Sequence, residues 1–127
     1  MLVNTNKERL GKIQIEKVSA MKKSNPDKFE ETIGAIGDIS EEIIECLGLE
    51  PASNEPVDQF QLMDLISMNQ NFLEAELGVS GKDINQIIET MMEHEVHGKL
   101  TGAGGDGGCV LGFYIKSGED NQNQNLI

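Results

Sequence analysis

The fold is decided by the stretch from residue 99 to residue 116, which is KLTGAGGDGGCVLGFYIK. Residues 99–101 have the pattern of a short strand, and residues 109–116 form an apolar run rich in strand formers. Between them, residues 102–108 contain five of the chain's fourteen glycines. The stretch therefore predicts two strands joined by a glycine loop.

Two interpretations of this glycine loop follow from the residues alone. Glycine permits positive φ and close approach of another surface, so successive N–H groups can converge on an anion such as a phosphate. The loop can equally be a tight or flexible connection between two strands. It is not a Walker loop, because no Gly-Lys-Ser/Thr follows, and it is not a dinucleotide fingerprint, because a strand rather than a helix comes next.

Upstream of this stretch, apolar spacing predicts one short strand at residues 2–4 and four helices. The first three helices span about residues 8–23, 26–47 and 57–77, and the fourth follows a cap at residues 80–83 and ends near residues 94–98. The apolar positions of the first are Ile13, Ile15, Val18 and Met21. Gly48 and Gly78 are expected to end the second and third helices. Ser80 is expected to cap the fourth by accepting the N–H of Asp83.

Charge and cysteine usage exclude several classes of function. The net charge is −12, from 22 acidic and 10 basic residues, so the basic footprint of a nucleic-acid binder is missing. Binding to an anionic membrane surface is disfavoured for the same reason, and no apolar run approaches the roughly 20 residues that span a bilayer. Two distant cysteines, Cys46 and Cys109, fit a reducing cytosol and predict a cytoplasmic protein.

A metal site has little support in the sequence. His94, His97 and Cys109 are the candidate ligands, but their spacing matches none of the standard zinc frameworks. Two ordinary histidines at a helix end explain the first pair equally well. Cys109 begins an apolar strand, where buried thiols are usually inert, so it is not predicted to be a nucleophile.

The glycine stretch resembles the third signature motif of the GHMP kinase superfamily, and most closely that of the mevalonate kinase family. The resemblance is carried by Lys99, Thr101, Gly102, Ala103, Gly104, Gly105, Gly107, Gly108 and Cys109. Residues 62–66, 68–70 and 77–80 are similar to the segments that lead to that motif. Residues 2–5, with Arg9 beyond, are similar to the beginning of the same domain. The likeness covers about residues 2–116.

The resemblance implies the architecture. It implies an α+β domain over residues 1–116, with four helices packed on a small, incomplete antiparallel sheet in the ferredoxin-like manner. Residues 117–127 are expected to be a polar, disordered tail. The family's last helix and strand have no counterpart there, so one sheet edge is expected to be unpaired. A monomer and a homodimer are both left open.

The resemblance also implies the chemistry. The family transfers the γ-phosphoryl group of ATP to the 5-hydroxyl of mevalonate with Mg²⁺, mainly by positioning and charge stabilisation. The family's glycine loop lies at the active site. By the resemblance, the residues of this loop are Lys99, Thr101, Gly102, Ala103, Gly104, Gly105, Gly107 and Gly108. The family's phosphate loop and its catalytic Asp and Lys belong to an N-terminal kinase domain. The chain is therefore expected to need that partner and to contain no catalytic residue and no metal ligand of its own.

Two departures from the family pattern leave other functions open. Asp106 makes the loop one residue longer and would repel ATP phosphates, and Leu10-Gly11 stands where the family has Asn-Thr. A non-catalytic interaction domain that keeps the fold is one alternative to the inactive kinase part. A part of another GHMP small-molecule kinase is the other.

Overall fold

Across residues 1–8, 10–48, 58–105 and 107–116, which are those the structure describes, a computed structural model shows four α-helices and a three-stranded antiparallel sheet. The elements in chain order are β1 (Leu2–Asn4), α1 (Gly11–Ser24), α2 (Pro26–Cys46), α3 (Gln59–Asn71) with a π-helical turn (Phe72–Glu76), α4 (Lys82–Glu93), β2 (His97–Gly104) and β3 (Gly107–Phe113). The predicted fold class, α+β with four helices on a small antiparallel sheet, is confirmed. No helix among these residues is long and apolar enough to cross a membrane.

The sheet has the order β1-β3-β2, so β3 is central. Leu2 pairs with Leu111 on one side of β3, and Lys99 pairs with the same residue on the other. The ladder between β2 and β3 shifts register between Thr101 and Gly104 and then closes at the pair Gly104 and Gly107. The predicted strand at residues 99–101 is therefore too short, because glycines assigned to the loop continue the ladder beyond the bulge.

The helix ends follow the local sequence. Asn25 precedes Pro26 at the start of α2, and its side chain accepts a hydrogen bond from the N–H of Lys28 at 3.2 Å. Asp58 does the same for the N–H of Gln61 at the start of α3, at 3.1 Å. Gly48 and Gly78 both have φ of +64°, which confirms that glycine ends these helical segments.

The long third helix predicted for residues 57–77 is interrupted in the structure. After α3 the helix widens into the π-helical turn, in which the N–H of Leu77 donates to the carbonyl of Phe72 at 3.0 Å. The N–H of Val79 then donates to the carbonyl of Leu73 at 2.9 Å. The wider turn directs residues 78–80 towards the end of β2.

The central core lies between α4 and the sheet. Ile84 and Val110 are fully buried there, with Met91 and Leu100 beside them. Gly98 and Gly112 pair across β2 and β3 beneath the helix. A Cβ at Gly98 would lie 3.0 Å from Met91 Sδ, and one at Gly112 would lie 2.9 Å from Val96 Cγ1. The paired glycines therefore let α4 pack close to the sheet.

Two sequence predictions lie wholly or partly outside the described residues. The tail expected at residues 117–127 is one of them. Asp106, the departure within the glycine motif, is the other.

Candidate functional site

Residues 102–105 and 107–108, which we call the glycine hairpin, end β2 and begin β3 with a backbone that suits glycine. Gly102, Gly104, Gly105 and Gly108 all have positive φ, between +65° and +102°. At two of these positions space also excludes a side chain. A Cβ at Gly104 would lie 2.6 Å from the carbonyl oxygen of Val79, and one at Gly105 would lie 2.6 Å from Gln14 Nε2. The glycines therefore serve close packing of the hairpin against its neighbours.

The hairpin is held from both sides by the rest of the chain. The N–H of Gly105 donates to the carbonyl of Val79 at 2.6 Å, and Ser80 forms an isolated parallel bridge with Gly105. On the other side, the N–H and hydroxyl of Thr5 donate to the carbonyl of Gly108 at 3.1 Å and 2.9 Å. The N–H of Gly105 is thus engaged within the chain and does not point to a ligand.

Two clefts flank the hairpin. The larger, of about 640 Å³, lies between α1 and β2 and includes Lys99, Thr101 and Gly102 in its wall. The remaining lining is mostly apolar and includes Val18 and Leu77. The smaller cleft, of about 330 Å³, is lined by Lys7, Glu8, Leu10, Gln14, Gly105 and Gly107. Five of the eight predicted loop residues therefore line one or the other of two clefts, whose linings share Gln14.

Gln14 was not predicted as a site residue, although it lines both clefts. Its side chain is only 8% exposed, and its Oε1 has no hydrogen-bond partner among the described residues. Ile13 and Ile15, two of the apolar positions that the sequence offers in this helix, are instead 45% and 68% exposed. The sequence signal for Gln14 is a polar residue between two isoleucines, but this pattern does not show which face of α1 is covered.

Lys99 is a half-buried residue of β2, and its Nζ donates to the carbonyl of Leu100 at 3.0 Å. Burial lowers the pKa of its ammonium group from the ordinary 10.5. The side chain is therefore a cation that is partly desolvated at the edge of the larger cleft. Such a group attracts an anion more strongly than a fully hydrated lysine does.

The lowered pKa of Lys99 predicts a pH dependence of stability. Between the folded-state pKa and 10.5 the unfolded chain binds more protons, so the free energy of unfolding is expected to rise with pH across that window. Lys99→Met removes the buried charge and is expected to raise the free energy of unfolding at neutral pH and to flatten the alkaline rise. Urea unfolding from about pH 7 to about pH 10.5 measures both effects. The control Lys12→Met, at an exposed position in α1, should keep the rise; an unchanged slope in Lys99→Met would contradict the prediction.

The candidate metal ligands do not form a cluster. His97 Nδ1 lies 2.7 Å from Ser67 Oγ, within hydrogen-bonding distance. His94 is exposed and follows the end of α4. Cys109 sits in the middle of the sheet between Thr101 and Asn4. Within the part of the chain that the structure describes, no three His, Cys, Asp or Glu residues come together as a metal site.

Comparison with known proteins gives one consistent family. Residues 56–125 match the family described as GHMP kinases C terminal. Mevalonate kinase from Bos taurus is 36% identical over 111 residues, and that from Arabidopsis thaliana is 32% identical over 111 residues; each alignment covers 87% of this chain. The chain spans only 28% and 29% of the lengths of these two relatives.

A solved structure shares the fold. The crystal structure of L. major mevalonate kinase in complex with R-mevalonate superposes with a TM-score of 0.78 at 20% identity, covering 95% of this chain and 34% of the other. At that identity the likeness establishes the fold alone. The family match extends over more than half of the chain. By that match, this chain belongs to the GHMP kinases, as a C-terminal domain of that family.

Proposed function

We propose that the chain is the C-terminal part of an ATP-dependent mevalonate kinase, and that its glycine hairpin forms one wall of the site where the phosphoryl group is transferred. The observation that carries the proposal is the hairpin itself. It lies at the ends of two paired strands, is fixed by contacts to Val79 and Thr5, and borders both clefts. Similarity to mevalonate kinases over 87% of the chain supports mevalonate as the acceptor.

In this proposal the chain's own residues position the reactants and do no proton transfer. The loop residues are Lys99, Thr101, Gly102, Ala103, Gly104, Gly105, Gly107 and Gly108. Lys99 contributes positive charge at the rim of the larger cleft, and the glycines allow close approach of the acceptor alcohol. An N-terminal kinase domain supplies the phosphate loop and the catalytic Asp and Lys, so this chain alone is inactive.

Kinases of this family use ATP, but the described residues do not provide a complete site for ATP and Mg²⁺. Among the described residues, Glu8 is the one whose carboxylate lines the clefts beside the hairpin. Mg²⁺ prefers several oxygen ligands, including phosphate oxygens. The N–H of Gly105 is engaged with Val79. The remaining donors for the phosphates and the metal therefore belong to the partner domain.

A chimera tests the proposal. This chain replaces the matching 28% of Bos taurus mevalonate kinase, and ATP-dependent phosphorylation of mevalonate is measured. We expect the chimera to be active and the isolated chain to be inactive. Gly104→Ala should abolish most of the activity, whereas Gly37→Ala, at an open position in α2, should retain it. A folded chimera with no activity towards mevalonate would contradict the substrate. Activity on phosphomevalonate or galactose instead would identify another GHMP kinase.

A non-catalytic interaction domain is the second candidate function. The internally bonded N–H of Gly105 favours it, because a phosphate loop needs free donors. It predicts that the isolated chain folds and has no affinity for nucleotides. Calorimetry that detects binding of ATP to the isolated chain would exclude it.

The proposal includes a cytoplasmic location and the bounds of the kinase domain. Cys46 and Cys109 are both unpaired, which suits a cytoplasmic protein. We assign residues 1–116 to the kinase domain and residues 117–127 to a polar tail. Size-exclusion chromatography with light scattering distinguishes a monomer from a homodimer.

A further inference from the structure

Gln70 lies near the end of α3 and links three parts of the chain through one carboxamide. Its side chain is buried, with 4% of the residue exposed. Its Oε1 accepts a hydrogen bond from the N–H of Leu100 at 2.8 Å, and its Nε2 donates to Ser80 Oγ at 3.0 Å. Both ends of the amide are therefore used, one on β2 and the other on the segment that leads into α4.

The bond to Leu100 completes the sheet on its β2 side. Within the described part of the chain β2 pairs with β3 alone, so half of its N–H groups face away from the ladder. The N–H of Leu100 is one of these, and Leu100 is itself a core residue. A buried backbone N–H without an acceptor is strongly destabilising, so Gln70 takes the role that a further strand would otherwise have.

Ser80 carries the connection on to the hairpin. Its hydroxyl accepts from Gln70 and donates to Asn85 Oδ1 on α4, at 2.5 Å. Its backbone bridges to Gly105, and the carbonyl of the preceding residue, Val79, accepts the N–H of Gly105. Residues 79–80 therefore lie between the carboxamide of Gln70 and the tip of the hairpin.

We propose that Gln70 is a positioning residue for the glycine hairpin, acting through Ser80, and that together they fix the hairpin tip where the reactants bind. Its role in catalysis rests on the proposed function above. Its role in holding the hairpin does not, because that role follows from hydrogen bonds within the chain. The two parts are therefore tested by separate measurements.

Amide hydrogen exchange in the full 127-residue chain tests the positioning role. Ser80→Ala and Gln70→Met are each expected to speed exchange of the Gly105 N–H by about tenfold relative to that of Ile39, a core residue of α2. The control Gln61→Met, at an exposed position on α3, should leave the ratio unchanged. Ser80→Thr keeps the hydroxyl and should restore the slow exchange.

A merely structural role gives a different result. If Gly105 and Ile39 speed up by the same factor in both variants, the carboxamide stabilises the whole domain and does not hold the hairpin, and the proposal is overturned. If the Gln70 variant fails to fold, Ser80→Ala still tests the proposal, because Ser80 is only partly buried and its substitution should be tolerated.

The chimera with the Bos taurus enzyme tests the catalytic part. Ser80→Ala should lower kcat by about tenfold with little change in KM for mevalonate, because a displaced hairpin affects the transition state more than binding. Ser80→Thr should restore kcat. An unchanged kcat in Ser80→Ala would overturn this part of the proposal. If the unsubstituted chimera is inactive, the proposed function is wrong. The hydrogen-exchange test of the Gly105 N–H is not affected by that outcome.

Discussion

Gly104→Ala is expected to lower the free energy of unfolding by about 3 kcal/mol. Gly104 has φ of +84°, which costs an L-residue about 1–2 kcal/mol. Its new Cβ would also lie 2.6 Å from the carbonyl oxygen of Val79. That oxygen cannot move aside easily, because it accepts the N–H of Gly105.

Gly102→Ala is the matched control. Its φ of +90° is similar, but a Cβ there meets nothing within 4 Å. Only the backbone term remains, so we expect a loss of about 1 kcal/mol. Urea unfolding followed by circular dichroism measures both variants. Equal losses would show that the hairpin tip does not pack against residues 79–80.

The glycine stretch shows how far sequence reasoning reaches. Two strands joined by glycines were predictable, because strand-forming residues flank them and no helix signal intervenes. The extent of β2 was not predictable. Gly104 pairs with Gly107 only because the register shifts after Thr101, and such a bulge depends on what the hairpin packs against.

Ser80 shows a local signal overruled by a distant residue. Its position before Lys82 and Asp83 predicted a capping hydroxyl, and this prediction is wrong. Gly81 precedes α4 instead and makes no side-chain capping bond. Gln70, ten residues earlier in the sequence, donates to the Ser80 hydroxyl, which in turn donates to Asn85. A capping rule considers only neighbouring residues and therefore cannot include this competition.

Gln14 illustrates the same limit for the candidate site. The apolar positions of α1 include Ile13 and Ile15, which are exposed, whereas the hairpin covers the side of the helix that carries Gln14. The covered face depends on which element lies opposite, and that element is about 90 residues away in the sequence. The motif predicted Lys99 and the glycines, whereas their neighbours from α1 and α3 required the folded chain.

Ile84→Ala is expected to lower the free energy of unfolding by about 3–4 kcal/mol. Ile84 is fully buried on α4 and belongs to the cluster that includes Leu100 and Val110. Deleting its three outer carbons removes apolar burial and leaves a cavity between the helix and the sheet. Domains of this kind are stable by only about 5–15 kcal/mol, so the loss is a large fraction of the total.

A graded series distinguishes this core effect from a change in helix propensity. Ile84→Val should cost about 1 kcal/mol, because it removes one methylene group. Ile33→Ala on α2 should cost less than about 1 kcal/mol, since Ile33 is 41% exposed and alanine favours the helix. Urea unfolding ranks the three variants. If Ile84→Ala costs no more than Ile33→Ala, α4 does not pack on the sheet in solution, and β2 and β3 would lose the support that holds the glycine hairpin in place.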